Sequence, residues 1–200
     1  MSAIFSSAEP ENQELISRIN SAVGRRFFKP GKCALSKDAL PFYREAFRLR
    51  ATSFSTLPNV TKTFVFGREN VMVMDGTSEA VSEANELFGL RLSPANVTAY
   101  VSFFFSCLRT AEGKFRLIQT PEDIPFSVPV DNSLIQILDE LLSPASVAEE
   151  KEGYLLNGFV LYGSTLYRAG IAVSAAGEVN IRNEEAVYDE LPVQKTPSAP

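Results

Sequence analysis

SPANVTAYVSFFFSCLRTAEGKFRLI, residues 93–118, is the stretch around which the rest of the chain is organised. Ser93 before Pro94 reads as an N-cap and first helical position, because the hydroxyl can accept an orphan amide bond and proline has no amide to satisfy. Val97, Tyr100, Val101, Phe104, Phe105 and Leu108 then fall at i, i+3, i+4, i+7, i+8 and i+11, which gathers them on one helical face and would scatter them over both faces of a strand. The opposite side holds Ala95, Ala99, Ser102 and Ser106, small and uncharged where a solvated helix normally carries Lys or Glu. Both sides are therefore expected to be covered: a sheet over the aromatic face, and a second helix or a second copy of the chain against the small residues. A membrane span is the rival, since no charge lies between Arg91 and Arg109, but Pro94, Asn96, Ser102, Ser106 and the short length reject it.

Outward from this helix, Ala111-Glu112-Gly113 turns the chain into a strand, Lys114–Gln119, in which Phe115 and Leu117 alternate with Lys114 and Arg116. Upstream, Ala80, Val81, Ala84, Leu87 and Phe88 define a helix stopped by Gly89, and Leu15, Ile16, Ile19 and Val23 another, from Glu11 to Val23 with Gly24 as its stop. Ala46–Phe54, Val60–Phe66 and Val71–Met74 are strands joined by short turns, hence an antiparallel meander. Ser36–Tyr43 is expected to hold one helical turn, and Met1–Pro10 to be polar and frayed. Downstream, three prolines make Thr120–Pro129 an extended connector, Ser133–Leu142 is an amphipathic helix, and Glu149–Glu152 a charged loop. Tyr154–Tyr162 and Thr165–Ser174, separated by Gly163-Ser164, form a two-residue hairpin, and Glu178–Arg182 completes a second meander. Acidic residues dominate from Glu184 to Glu190, and Gln194–Pro200 is expected to be disordered. The expected fold is α+β: an antiparallel sheet of two three-stranded meanders plus one short strand, packed against about four helices, as a single domain over 1–193.

At 200 residues, with 45% hydrophobic and 22% charged, the chain has an ordinary globular balance. Up to Lys62 it carries ten basic against five acidic residues, +5, which leaves −10 for the remainder of a chain whose total is −5. Intramolecular complementarity is the simpler account of this asymmetry, and an anionic partner the other. Arg25-Arg26-Phe27-Phe28-Lys29 has the outline of a twin-arginine export signal, but Pro30, Gly31, Lys32, Lys37 and Asp38 follow where an apolar run is required. Two cysteines, Cys33 and Cys107, are too few for a disulfide framework, and a cytoplasmic location is expected.

There is no histidine. Ser/His/Asp and Cys/His nucleophilic sites and imidazole metal ligands are thereby impossible, and the sequence suggests no catalytic residue, metal or cofactor. Asp75-Gly76-Thr77-Ser78, where a strand meets a helix, could cradle a small anion on exposed amides, although Glu79 and Glu83 oppose this and simple capping is favoured. Arg48 and Arg50, on one strand face, extend the basic Arg25–Lys32 segment as candidate anion contacts; nucleic acid is disfavoured by the acidic remainder. Tyr162 and Tyr167 on the hairpin, with Asp75, could serve a pocket between sheet and helices, though strand tyrosines are more often packing residues with a wet hydroxyl. Ala95, Ala99, Ser102 and Ser106 are the candidate interface. These patterns favour a non-catalytic binding or protein-interaction module, a homodimer among the options, over a histidine-free enzyme or small-ligand-binding protein, and give it no membrane partner.

Overall fold

The structure, a computed structural model, describes residues 3–6, 10–110 and 113–194. It is α+β, with two antiparallel five-stranded sheets and four α-helices among the described residues, and the chain divides into two compact units, 1–91 and 92–200. The expected meanders are present, but each belongs to its own sheet, and ten strands stand where seven were expected. Among the described residues no helix is long and apolar enough to cross a membrane.

The first unit runs β1 (Ala3–Ser6), α1 (Pro10–Val23), β2 (Cys33–Ala39), β3 (Phe47–Ser53), β4 (Val60–Phe66), β5 (Val71–Met74) and α2 (Ser78–Phe88), with strand order β1-β2-β3-β4-β5. Period-two alternation puts Leu35, Leu49, Ala51, Phe64 and Phe66 on one face, where Ile16 and Ile19 of α1 and Phe28 close the core. Phe28 in this core and Phe27 packed against it anchor the loop after α1, and one side chain secures them. Asn20 accepts from both of their amides at 2.8 Å and donates to the Phe28 carbonyl at 2.8 Å, replacing the ladder bonds this loop lacks.

Two expectations for this unit are corrected. Ser36–Tyr43 holds no helical turn over its first half: residues 36–39 belong to β2, paired residue for residue with β3 from Cys33↔Ser53 to Ala39↔Phe47. The alternation was masked by Lys37, an exposed charged residue on the sheet face that carries Leu35 and Leu49. Its ammonium sits 3.8 Å from the centre of the Phe47 ring, so the stem covers apolar surface while the charge meets a π-face. The segment Met1–Pro10 includes β1, which pairs Ala3–Ser6 with Lys37–Ala34; residues 1, 2 and 7–9 lie outside the described residues.

The second unit holds α3 (Val97–Cys107), β6 (Arg116–Ile118), a single 3-10 turn (Pro121–Asp123), α4 (Asn132–Leu141), β7 (Ser146–Glu150), β8 (Gly153–Tyr162), β9 (Thr165–Ser174) and β10 (Val179–Tyr188). Strand order is β10-β9-β8-β6, and β7 also pairs with β8, taking Gly153–Asn157 while β6 takes Phe159–Leu161. The Gly163-Ser164 hairpin forms as expected, Tyr162 facing Thr165, with Gly163 at φ +60°. One sheet face packs Phe159, Leu161 and Leu166 against Leu138 of α4 and against Leu191 and Val193. Glu149–Glu152 is not simply a loop, since Glu149 and Glu150 end β7. The acidic segment likewise continues β10 to Tyr188, because edge strands tolerate outward charges that a central strand could not. Gln194 is ordered by its amide bond to the Pro125 carbonyl, and the rest of the expected tail lies outside the described residues.

The organising helix is present, three residues shorter at its start than expected. The Asn96 side chain accepts from the Ser93 amide at 2.8 Å, making residues 93–96 a turn, although the Ser93 carbonyl already receives the Val97 amide at 3.0 Å. Val97, Tyr100, Val101, Phe104 and Phe105 are buried as expected, and Phe103 and Cys107 join them. At 100° per residue this widens the buried arc to roughly 200°. Tyr100, wholly buried, donates its hydroxyl to the Gly177 carbonyl at 2.6 Å, and Phe105 meets Phe115 beside β6. Ala95, Ala99 and Ser102 are exposed and Ser106 half-buried, so the cover expected over them is not supplied by the described chain.

Two substitutions test this packing. Gly153 has φ +153°, and a Cβ there would stand 2.0 Å from the Val173 carbonyl oxygen, so Gly153→Ala should lower unfolding free energy by about 3 kcal/mol or more in urea titration. Tyr100→Phe strands the Gly177 carbonyl in a buried site and should cost about 1–3 kcal/mol in the same measurement.

Candidate functional site

The second unit contains a cavity of about 260 Å³ lined by Phe115, Val160, Tyr162, Tyr167, Ala169, Ile181 and Glu184. Its floor follows from strand register. Val160 faces Tyr167 across β8 and β9, and Gly158 faces Ala169, so Val160, Tyr162, Tyr167 and Ala169 share one face of the sheet. Ala169, the small residue on that face, leaves the space that a larger side chain would fill. One wall is a stack: the Phe115 and Tyr162 rings lie 4.3 Å apart at 10°, and Phe115 is backed by Phe105 of α3 at 5.5 Å.

The opposite wall depends on a β-bulge. Arg182 pairs with Gly170 and Glu185 with Arg168, so Asn183 and Glu184 together oppose the single residue Ala169. Asn183 takes φ +50°, a conformation asparagine tolerates better than most residues. The extra residue re-aims the strand and brings exposed Glu184 to line the cavity. Neither the Tyr162 nor the Tyr167 hydroxyl has a hydrogen-bond partner among the described residues. The arrangement offers an apolar slot about the size of one ring or branched aliphatic group, with two hydroxyls and one carboxylate to orient it.

Of the residues singled out in the sequence, Tyr162 and Tyr167 are thus brought together. Asp75 belongs to the first unit and serves a cap: its Oδ1 accepts from the Thr77 amide (2.9 Å) and hydroxyl (2.7 Å), and Thr77 Oγ1 accepts from the Ala80 amide (3.2 Å). Gly76, at φ +107°, makes the bend, and Ser78 begins α2. Arg48 lies across from Asp38 and is bound to it through Nε (2.9 Å) and Nη2 (2.8 Å), with Arg50 Nη2 at 3.8 Å from the same oxygen. Both arginines therefore share their charge with a carboxylate of the neighbouring strand. The adjacent acids Glu122 and Asp123 lie in the Pro121–Asp123 3-10 turn, not in extended chain as the three prolines suggest, and they divide in role. Asp123 accepts from the Gln119 and Thr120 amides, while exposed Glu122 is held below the usual carboxylate range by the Thr120 hydroxyl and a backbone amide.

A larger concavity of about 480 Å³ lies in the first unit, between the C-terminal end of α2 and the β4–β5 turn. Arg44, Arg68 and Arg91 alternate there with Glu45, Glu69 and Glu86, so it presents no net charge to a ligand, and it opens widely to solvent. Among the described residues no three of His, Cys, Asp or Glu gather as a metal site.

Glu184 and the small residue Ala169 were not singled out in the sequence. A signal was present: the alternation Val179, Asn180, Ile181, Arg182 breaks at Asn183, a residue suited to left-handed backbone, just before two acids. Comparison with protein-family models, curated proteins and solved structures finds no match to this chain. For the cap, Thr77→Ala should destabilise the first unit by about 1 kcal/mol in chemical denaturation, as for loss of an N-cap side chain.

Proposed function

We propose that the chain is a non-catalytic binding module whose second unit takes an apolar group carrying a cationic or hydrogen-bond-donating head. The observation that carries this is the cavity beside the β10 bulge. Six of its seven lining residues, Phe115, Val160, Tyr162, Tyr167, Ala169 and Ile181, present rings or aliphatic groups, while Glu184 supplies the one carboxylate. A primary amine on a ring or branched chain matches that division: the hydrocarbon enters the slot and the ammonium meets the carboxylate. The two tyrosine hydroxyls favour the same head group as acceptors. A cytoplasmic location is part of the proposal, and buried thiols at Cys33 and Cys107 suit it.

A second reading concerns protein partners. Ala95, in the turn before α3, and Ala99 and Ser102 on it form an exposed, uncharged strip beside a helix buried elsewhere, and a second copy of the chain could pack its own strip there by two-fold symmetry. Light scattering tests it: a dimer that Ala99→Arg converts to monomer supports the reading, and a strict monomer at high micromolar concentration removes it.

For the cavity, two-dimensional NMR of the full chain titrated with benzylamine and with isobutylamine is the direct test. Shifts should centre on residues 160–169 and 181–184. Ala169→Leu, which fills the space, should abolish them while leaving the fold intact, and Glu184→Gln should weaken binding about tenfold. Binding unaffected by Ala169→Leu, or no shifts with either amine, would refute the proposal. Chemical conversion of a bound amine would favour the enzymatic alternative, with Glu184 and a tyrosine as acid and base.

A further inference from the structure

Large apolar side chains exposed to solvent are few among the described residues: Phe54, Leu57, Leu87, Val128 and Ile137. Two of these five occupy one short connection, between β3 and β4. Phe54 is 55% exposed and Leu57 98%, so Leu57 projects from the loop with almost no contact to the chain. A single exposed aliphatic residue is ordinary; two within one hairpin tip, at such exposure, are a patch that water disfavours.

The charge around that tip has one sign. The Phe54 amide donates to the Lys32 carbonyl at 3.0 Å, and Cys33 faces Ser53, which in turn faces Val60. The α1–β2 and β3–β4 connections therefore lie side by side at one end of the first sheet. They and the start of β4 carry Arg25, Arg26, Lys29 and Lys32, all exposed, and the half-buried Lys62. No Asp or Glu occurs between Glu14 and Asp38, nor between Glu45 and Glu69. None of the five cations is in an ion pair among the described residues.

We infer that this end of the first sheet is a peripheral contact site for an anionic lipid bilayer, with Leu57 and Phe54 entering the headgroup–acyl boundary and the five cations meeting lipid phosphates. Arg25 lies 5.1 Å from the centre of the Phe27 ring, but long Lys and Arg side chains outside ion pairs suit headgroups, which rearrange around them, better than a partner of fixed shape. Leu57, the most exposed of the apolar pair, has no ring to stack on a base, so the tip fits hydrocarbon better than single-stranded nucleic acid. Insertion and charge are both needed, because either alone gives only weak and reversible attachment to a membrane.

The experiment is co-sedimentation of the full chain with extruded vesicles of equal parts phosphatidylglycerol and phosphatidylcholine, against vesicles of phosphatidylcholine alone. The chain should pellet with the anionic vesicles, release as salt rises, and stay in solution with the neutral ones. Lys29→Gln and Lys32→Gln should each reduce partitioning about fivefold. Phe54→Ser with Leu57→Ser should reduce it by at least about tenfold at unchanged charge, since burying each such side chain is worth that much or more. These sites are solvent-exposed, so an unchanged circular-dichroism melt verifies folding for every variant. The inference is overturned by absence of pelleting with anionic vesicles, or by pelleting indifferent to the Phe54/Leu57 pair. It is equally overturned if inorganic phosphate displaces the chain more effectively than chloride at matched ionic strength, which identifies a free-anion site. Tighter, lysine-dependent retention on a single-stranded oligonucleotide than on vesicles would also overturn it.

Discussion

A helix that buries five large side chains on one face and carries no charge along its length cannot remain exposed to water, and α3 is such a helix. Its hydrogen-bonded backbone removes the polar obstacle to burial, leaving the apolar surface of Val97, Tyr100, Val101, Phe104 and Phe105 to drive it into the protein. The one strongly polar group on that face, the Tyr100 hydroxyl, is satisfied by the Gly177 carbonyl in the β9–β10 turn. This fixes the helix against the second unit at a specific point and in a specific rotation, something dispersion contacts alone do less well. Through Phe105 and Phe115 the same packing sets the Tyr162 ring that walls the cavity.

The first unit solves its own burial problem differently. There the sheet is largely made of consecutive neighbours, β2 to β5, and α1 covers the face that alternation makes apolar. Its loops are secured by side chains acting as substitute backbone: Asn20 for the Phe27–Phe28 turn, Asp75 and Thr77 for the start of α2. In this unit two charged residues of the sheet meet a named partner, a ring beneath Lys37 and a carboxylate beside Arg48.

What was legible in the sequence is what periodicity carries. The helices at α1, α2, α3 and α4 and the hairpin turn at Gly163-Ser164 each announce themselves through spacing of apolar residues and a stop signal. What was hidden depends on partners distant in the chain. β2 has a lysine on the face that carries Leu35 and Leu49, and β7 reads as a charged run; each is a strand because a neighbour offers a ladder, and no local propensity states that. The division into two sheets was hidden for the same reason, since a meander gives its internal order but not which other strands it joins. At the cavity, both tyrosines were visible as hairpin residues on one strand face, whereas Glu184 reaches the site only through a bulge, where counting by twos fails. Conversely, the Arg25–Lys32 segment is a loop anchored in the core by Phe28, yet its cations stand beside an apolar tip that becomes apparent only when the two loops are seen to adjoin.

The account rests on α3 being an integral, buried element of the second unit rather than a helix resting on its surface. Native-state hydrogen exchange under increasing denaturant measures this directly. The Val101 and Phe104 amides should exchange only when the second unit unfolds, with an opening free energy that converges on its denaturant-measured stability. Exchange of those amides at the rate of a frayed surface helix, insensitive to denaturant, would contradict the account.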